Sequence, residues 1–548
     1  MIRSRLTILA LALGLLSGLF SACSRGAESP KPEHVVLIVI DTLRADRTTP
    51  YGHSRDTSPT LARIAKDGVL FENAVSQSSW TSPSMVSMMT GKYMAGERLT
   101  IPDDQPTLAE GFERAGYETA AFICNDILSE KTKFQRGFDV FEQFEPYTDD
   151  DRIVQWLESG KGKKTFTWIH LAEPHDVATH YGPPNEEAWR FKKQENELPP
   201  GRIEFLRDFA TERKLADFEP SVARMRAEHG GYDDDVAFSD RRVANFVAAL
   251  ERAGLYANTA IVIAADHGEG LWTREAYDVG YRHEQIAKHG AQPTMLNLLM
   301  GTHGNQVYRE LVHVPLIVKA PGFGPNTTVK SWVENVDIAP TLFELCDVPS
   351  PTALQGKSLV SLARAPGSDS TRKVFSMTRY CSSVIDEHAM QLILPTPKGA
   401  CELGLVPELY DLRADPESRK NLAAARPDLV ATLSRVVEEK LSVGLPGESA
   451  ELSPEVLETL RKLGYVGDDG NGIIQTAPDL SGTPTDELIS VALDGKLPCL
   501  ARLEAAEALV GRAFDDAQRA RLEDAAPKVE WVAVRSALAN ALAGPISR

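Results

Sequence analysis

Two stretches of this chain are unbroken apolar runs rich in β-branched residues, His34-Val35-Val36-Leu37-Ile38-Val39-Ile40 and Ala260-Ile261-Val262-Ile263-Ala264-Ala265. A run without polar alternation reads as a strand buried on both faces, as in a parallel sheet. Glu118 to Ile123, Lys164 to Leu171 and Val314 to Lys319 read as further strands. Between them the period lengthens. Val243, Phe246, Val247 and Leu250 recur at i, i+3, i+4 and i+7 and predict a helix from Tyr232 to Gly254. Ser58 to Gly68, Thr107 to Gly116 and Asp337 to Leu345 are read as shorter helices. Strands alternating with helices predict an α/β fold, a three-layer αβα sandwich with a mostly parallel central sheet.

The pattern changes further on. Val374 to Leu394 and Glu408 to Leu412 suggest antiparallel strands, followed by a packing helix from Pro427 to Lys440. This is a small α+β subdomain. Ser453 to Tyr465 reads as a short helix. From Thr483 onward the chain is rich in alanine and leucine, a helical tail read as a helix pair of solenoid type, though without a clean repeat. The expected units are 32–365, 366–446 and 447–548. Residues 185–231 are charged and irregular and are read as excursions over a site. Leu271 to Gly301, with His283 and His289, is long enough to be a lid or binding loop.

The chain has 548 residues, 43% hydrophobic and 25% charged, as in ordinary globular proteins. Its net charge of -18 and lack of a basic block argue against nucleic acid as a partner. An anionic substrate must then be attracted by local cations. Residues 1–25 read as a targeting segment, with Arg3 and Arg5 ahead of an apolar run from Leu6 to Phe20 that is too short to span a bilayer. Ser21-Ala22-Cys23 resembles the bacterial lipoprotein signal, in which the cysteine becomes the lipidated first residue. Phe20 departs from the usual aliphatic residue there. Export and a lipid anchor at Cys23, in the periplasm or cell envelope, are expected. An oxidising compartment allows disulfides, and Cys381 with Cys401 is the expected pair.

Each long apolar strand ends in an acid, Asp41 after the first and Asp266-His267 after the second. Ligands of α/β sheets bind at such strand ends. A third candidate is Thr81, in Ser79-Trp80-Thr81-Ser82-Pro83-Ser84-Met85. It has too many hydroxyls for a core helix and carries a proline suited to a helix's first turn. A helix start favours an incoming anion. Taken singly, Thr81 could be an N-cap, Asp41 a helix cap and His267 a buried structural histidine. Taken together, two carboxylates, an imidazole and a hydroxyl can share one divalent cation, which turns the hydroxyl into a nucleophile.

These segments resemble the sulfatase family of the alkaline phosphatase superfamily. The resemblance is carried by Val39-Ile40-Asp41-Thr42-Leu43-Arg44-Ala45-Asp46-Arg47, Thr81-Ser82-Pro83-Ser84 through Thr90-Gly91, Glu173-Pro174-His175, Ala265-Asp266-His267-Gly268-Glu269, His303-Gly304-Asn305 and Glu408-Leu409-Tyr410-Asp411-Leu412. It runs in order from about His34 to Tyr465 and implies a hydrolase of sulfate or phosphate esters. Asp41, Thr81, Asp266 and His267 would hold calcium, manganese or zinc. His175 and His303 would contact the substrate or protonate the leaving group. Asp176, His180 and His303 would form a second metal site if there is one. Lys319 either binds an anion or sits at a sheet edge.

Two positions depart from the family pattern. Thr81 and Met85 stand where sulfatases have a formylglycine precursor and an arginine, and Thr42 stands where many have a second aspartate. No formylglycine can form from threonine, and a threonine sulfate has no aldehyde to re-form as it expels sulfate. Phosphoesters or phosphodiesters are therefore the favoured substrates, whether as a small molecule, a glycan or a lipid head group. Family members with a threonine nucleophile include nucleotide pyrophosphatase-like phosphodiesterases and phosphoglycerol transferases. The alternatives are a phosphoglycerol- or phosphoethanolamine-type transferase, or a non-catalytic protein that binds anionic glycans.

Overall fold

The structure is a computed structural model. It describes residues 30–447 and 480–542, apart from 149, 176–181, 186–187, 195–196, 199–200, 277–278, 289, 481, 498 and 530–531. The strands are β1 (His34–Ile40), β2 (Val69–Val75), β3 (Glu118–Ile123), β4 (Val140–Gln143), β5 (Thr165–Leu171), β6 (Thr259–Ala264), β7 (Arg274–Glu275), β8 (Leu299–Met300), β9 (His313–Lys319), β10 (Thr327–Glu334), β11 (Val374–Met377), β12 (Cys381–Ile385), β13 (Met390–Pro395) and β14 (Glu408–Asp411).

The central sheet has eight strands in the order β10-β2-β9-β6-β1-β5-β3-β4. β1 lies parallel between β5 and β6, and only β9 runs antiparallel to its neighbours. Every residue of β1, β5, β6 and β9 is buried. Their apolar runs are therefore covered on both faces. One group of mutually packed helices comprises Thr81–Thr90, Leu108–Arg114 and Ile338–Cys346. A second comprises Pro59–Asp67, Asp151–Glu158 and Phe218–Arg252. The expected α/β architecture is present.

The helix expected from Tyr232 starts earlier, spanning Phe218–Arg252 over 35 residues. The last part of the stretch 185–231, read as irregular from its charge, is therefore helical, Gly230 and Gly231 included. Both are buried mid-helix, and a Cβ on Gly182 would stand 3.6 Å from the Gly231 Cα. The excursion also contains the helix Arg202–Glu212.

β11, β12, β13 and β14 form the expected antiparallel sheet, with the helix Pro427–Val443 packed on it. The helix expected at Ser453 to Tyr465 lies outside the described residues. Among the described residues the tail holds four α-helices, Thr485–Leu493, Cys499–Glu507, Asp516–Ala525 and Val532–Leu542, where a single pair was expected. They share a separate core built on Leu488, Ile489, Leu503, Leu522, Val534 and Leu538. The expected Cys381–Cys401 bridge is not formed. Cys401 bonds to Cys499 and so ties the tail to the helix Pro397–Glu402, while Cys381 is a buried free thiol inside the sheet. Among the described residues no helix is long and apolar enough to cross a membrane.

Candidate active site

β1 and β6 are adjacent and parallel, with Val39 opposite Ala264. Asp41 and Asp266 each follow these partners by two residues and so emerge side by side at the carboxyl edge of the sheet. Asp266 is aimed by its own loop. One of its oxygens, Oδ1, accepts the backbone N–H of Thr42 at 3.1 Å and that of His267 at 2.8 Å. Thr42 adopts a left-handed conformation, φ 54°, that a β-branched residue seldom holds. Tyr232 clamps it there, donating its hydroxyl to the Thr42 carbonyl at 2.6 Å. Asp41 Oδ2 accepts from Asn125 Nδ2 at 2.9 Å.

Thr81 is the first residue of its helix, and Trp80 occupies the N-cap without a side-chain cap. The Thr81 hydroxyl therefore does not serve as a cap. It lies 3.2 Å from His267 Nε2. Pro83 lacks the N–H that would compete in this first turn. Met85, in the position of the family arginine, is wholly buried.

His267 decides what this cluster can bind. Its Nδ1 lies 2.9 Å from the Gly268 carbonyl, which only accepts, so Nδ1 carries the proton and Nε2 a bare lone pair. Burial pushes this imidazole down to about 4, so it is neutral near pH 7. Its Nε2 stands 3.7 Å from Asp41 Oδ1 and 3.5 Å from Asp266 Oδ2. Both oxygens are buried and have no hydrogen-bond partner among the described residues. Burial, and then the charge of Asp266, push the Asp41 carboxyl well above the usual carboxylate range. Three electron-rich atoms within 4.8 Å of one another, contributed by two carboxylates and an imidazole, fit a divalent cation.

His175 and His303 join this cluster. The His303 ring is 4.4 Å from that of His267 and 5.0 Å from that of His175, centroid to centroid. Glu269 Oε2 holds His303 Nδ1 at 3.0 Å. Asp176 and His180 lie outside the described residues. Lys319 does not join the site, which corrects its reading as a substrate ligand. It pairs with Ile261 near the amino end of β6, at the opposite edge of the sheet. Its ammonium donates to the carbonyls of Tyr256, Ala257 and Thr259.

Sequence reading missed Asn125 and Glu269. Asn125 follows β3 as Asp41 follows β1, so the same strand-end rule reaches it. Glu269 stood in a quoted motif, but nothing in the sequence paired it with His303, 34 residues away.

Residues 33–348 match the family model described as Sulfatase. The chain belongs to the sulfatase family. Among sulfatase relatives, it is 25% identical over 389 residues to an ulvan-active sulfatase of Formosa agariphila, covering 64% of this chain and 68% of that protein. It is 25% identical over 485 residues to arylsulfatase K of Bos taurus, covering 75% and 82%. Solved structures of the same fold include one in complex with its substrate D-glucosamine-2-N,6-O-disulfate. That match has a TM-score of 0.57 at 18% identity, covering 76% of this chain and 98% of that one. A phosphonate monoester hydrolase of Agrobacterium radiobacter matches with a TM-score of 0.55 at 18% identity, covering 82% and 100%.

Proposed function

We propose that this sulfatase-family hydrolase is a metal-dependent esterase with Thr81 as its nucleophile, acting on phosphoric esters or diesters outside the cytoplasm. The observation that carries this reading is the Thr81 hydroxyl, 3.2 Å from His267 Nε2 and beside the free oxygens of Asp41 and Asp266.

Asp41, Asp266 and His267, with Thr81, would hold the cation. When bound, it supplies charge that lowers the pKa of a neighbouring hydroxyl and offsets charge on a substrate oxygen. Thr81 Oγ1 loses its proton to solvent and bonds to phosphorus as the bond to the leaving oxygen breaks in line with it. The product of this step is a phospho-threonine ester. His303, oriented by Glu269, gives a proton to the leaving oxygen, and His175 beside it contacts the substrate. Water then attacks phosphorus, the Oγ1–P bond breaks, and Thr81 regains its proton.

The threonine itself supports phosphorus over sulfur. The phosphonate monoester hydrolase neighbour agrees with that preference, while the curated relatives bear the names of sulfatases. The Cys401–Cys499 disulfide and the lipoprotein-like segment ending at Cys23 support an exported protein tethered to a membrane.

The test is a panel of aryl phosphate, phosphodiester, phosphonate and sulfate esters, with manganese, zinc or calcium supplied. It is coupled to mass spectrometry of acid-quenched enzyme. Turnover of a phosphorus ester with a phosphoryl group on Thr81 is expected. Turnover of sulfate esters alone, or a label on another residue, overturns the reading.

A further inference from the structure

One buried histidine near the cluster has no part in this scheme. His170 lies in β5 and is fully buried, and neither ring nitrogen has a hydrogen-bond partner among the described residues. An unsatisfied buried polar group of this kind is destabilising and rare enough to need an explanation. The sheet register puts His170 beneath the two carboxylates. Val39 pairs with both His170 and Ala264, and Asp41 and Asp266 follow Val39 and Ala264 by two residues. Side chains two residues apart on a strand share a face, so His170 is one step below the acids on their own face.

From there its Nε2 stands 3.9 Å from Asp266 Oδ2. That oxygen is also without a hydrogen-bond partner, because the two N–H groups that hold Asp266 are both spent on Oδ1. His170 is outside the group of three residues whose ligand atoms lie within 4.8 Å of one another, so it is placed behind the ligands and not among them.

We infer that His170 is a positioning residue of the metal centre, whose Nε2 faces Asp266 Oδ2 and orients that carboxylate toward the cation. This rests on the metal-dependent reading above. A ligating carboxylate is usually oriented by an outer hydrogen-bond donor, and loss of such a donor weakens metal binding by about 10–100-fold. Trp168, two residues earlier on the same face, makes an edge contact with the His170 ring at 6.1 Å and provides a packing control.

The experiment measures the dissociation constant for Mn²⁺ alone on the full chain, by competition with a fluorescent chelator. His170→Gln keeps a donor at the reach of Nε2. His170→Asn keeps the polarity but is too short, and His170→Phe keeps the ring without the donor. Expected are affinity within threefold of wild type for His170→Gln and at least tenfold weakening for His170→Asn and His170→Phe. Trp168→Phe should lower the melting temperature and leave Mn²⁺ affinity unchanged. The inference is overturned if folded His170→Asn binds Mn²⁺ like wild type, or if Trp168→Phe weakens binding as much. Should His170→Phe not fold, the contrast between Gln and Asn decides. Wild type that takes up no divalent ion sinks the metal-dependent reading itself, whereas wild-type affinity in the variants sinks only the role of His170.

Discussion

Thr81 Oγ1 and His267 Nε2 are 186 residues apart in sequence and 3.2 Å apart in space. The imidazole is held by the Gly268 carbonyl with its lone pair facing the hydroxyl. The Thr81 hydroxyl therefore faces the carboxylate–imidazole cluster, while Trp80 takes the N-cap position of the helix.

Thr81→Ala should lower kcat by at least about a thousandfold with the melting temperature within a few degrees of wild type. Thr81→Ser should keep part of the activity, since it retains the hydroxyl. Steady-state kinetics with calorimetry on the same samples checks both. Activity in Thr81→Ala comparable to wild type would remove Thr81 as the nucleophile.

Asp41→Asn should act in opposite directions with and without metal. Asp41 faces Asp266 in a fully buried site, where the second charge is unfavourable. In chelator, removing that charge should raise the melting temperature. A cation bound at about a hundredfold its dissociation constant adds about 3 kcal/mol to the wild-type fold, and Asp41→Asn should lose most of that gain. Thermal melts in chelator and in excess Mn²⁺ report the two signs. A variant less stable under both conditions contradicts the cation reading.

Stability should fall as the pH drops from 6.5 toward 4. Burial, and next the charge of Arg309, push His313 down to about 4, while its Nε2–H donates to the Glu72 carbonyl. The unfolded chain takes up this proton first, so stability is full above pH 6.5 and is lost as pH falls to about 4. The difference is worth about 3 kcal/mol. His229 shifts in the same direction, to about 3, again through burial. His313→Gln keeps a donor but cannot be protonated in this range. Denaturant melts from pH 7 to 4 should show a shallower fall for this variant, and an unchanged slope counts against the assignment.

Cys401 and Cys499 are 98 residues apart, and their bond restrains the tail. A closed loop of that length constrains the unfolded chain by about 4–5 kcal/mol. Cys401→Ser with Cys499→Ser should expose amides of the Thr485–Leu493 and Cys499–Glu507 helices to hydrogen exchange and leave the central sheet protected. Equal loss of protection in β1 and β6 would show that the tail and catalytic body unfold as one.

Much of the site was legible in the sequence because its parts follow strong local rules. An apolar run such as Val35 to Ile40 has few fates besides a buried strand, and an acid directly after it falls at the sheet's carboxyl edge. Asp41, Asp266 and His267 were therefore readable from position alone, and Thr81 from the proline two residues on. Other features depend on what lies opposite. Lys319 looks like an anion ligand until β9 is seen to run antiparallel, which sends its ammonium to the far edge of the sheet. The partners of Cys401 and His303 were hidden for the same reason. Local sequence sets which segments become strands and what each strand end carries, because backbone geometry and apolar burial act over a few residues. Which distant side chains meet is settled by strand order and direction, and those are decided only when the whole sheet packs.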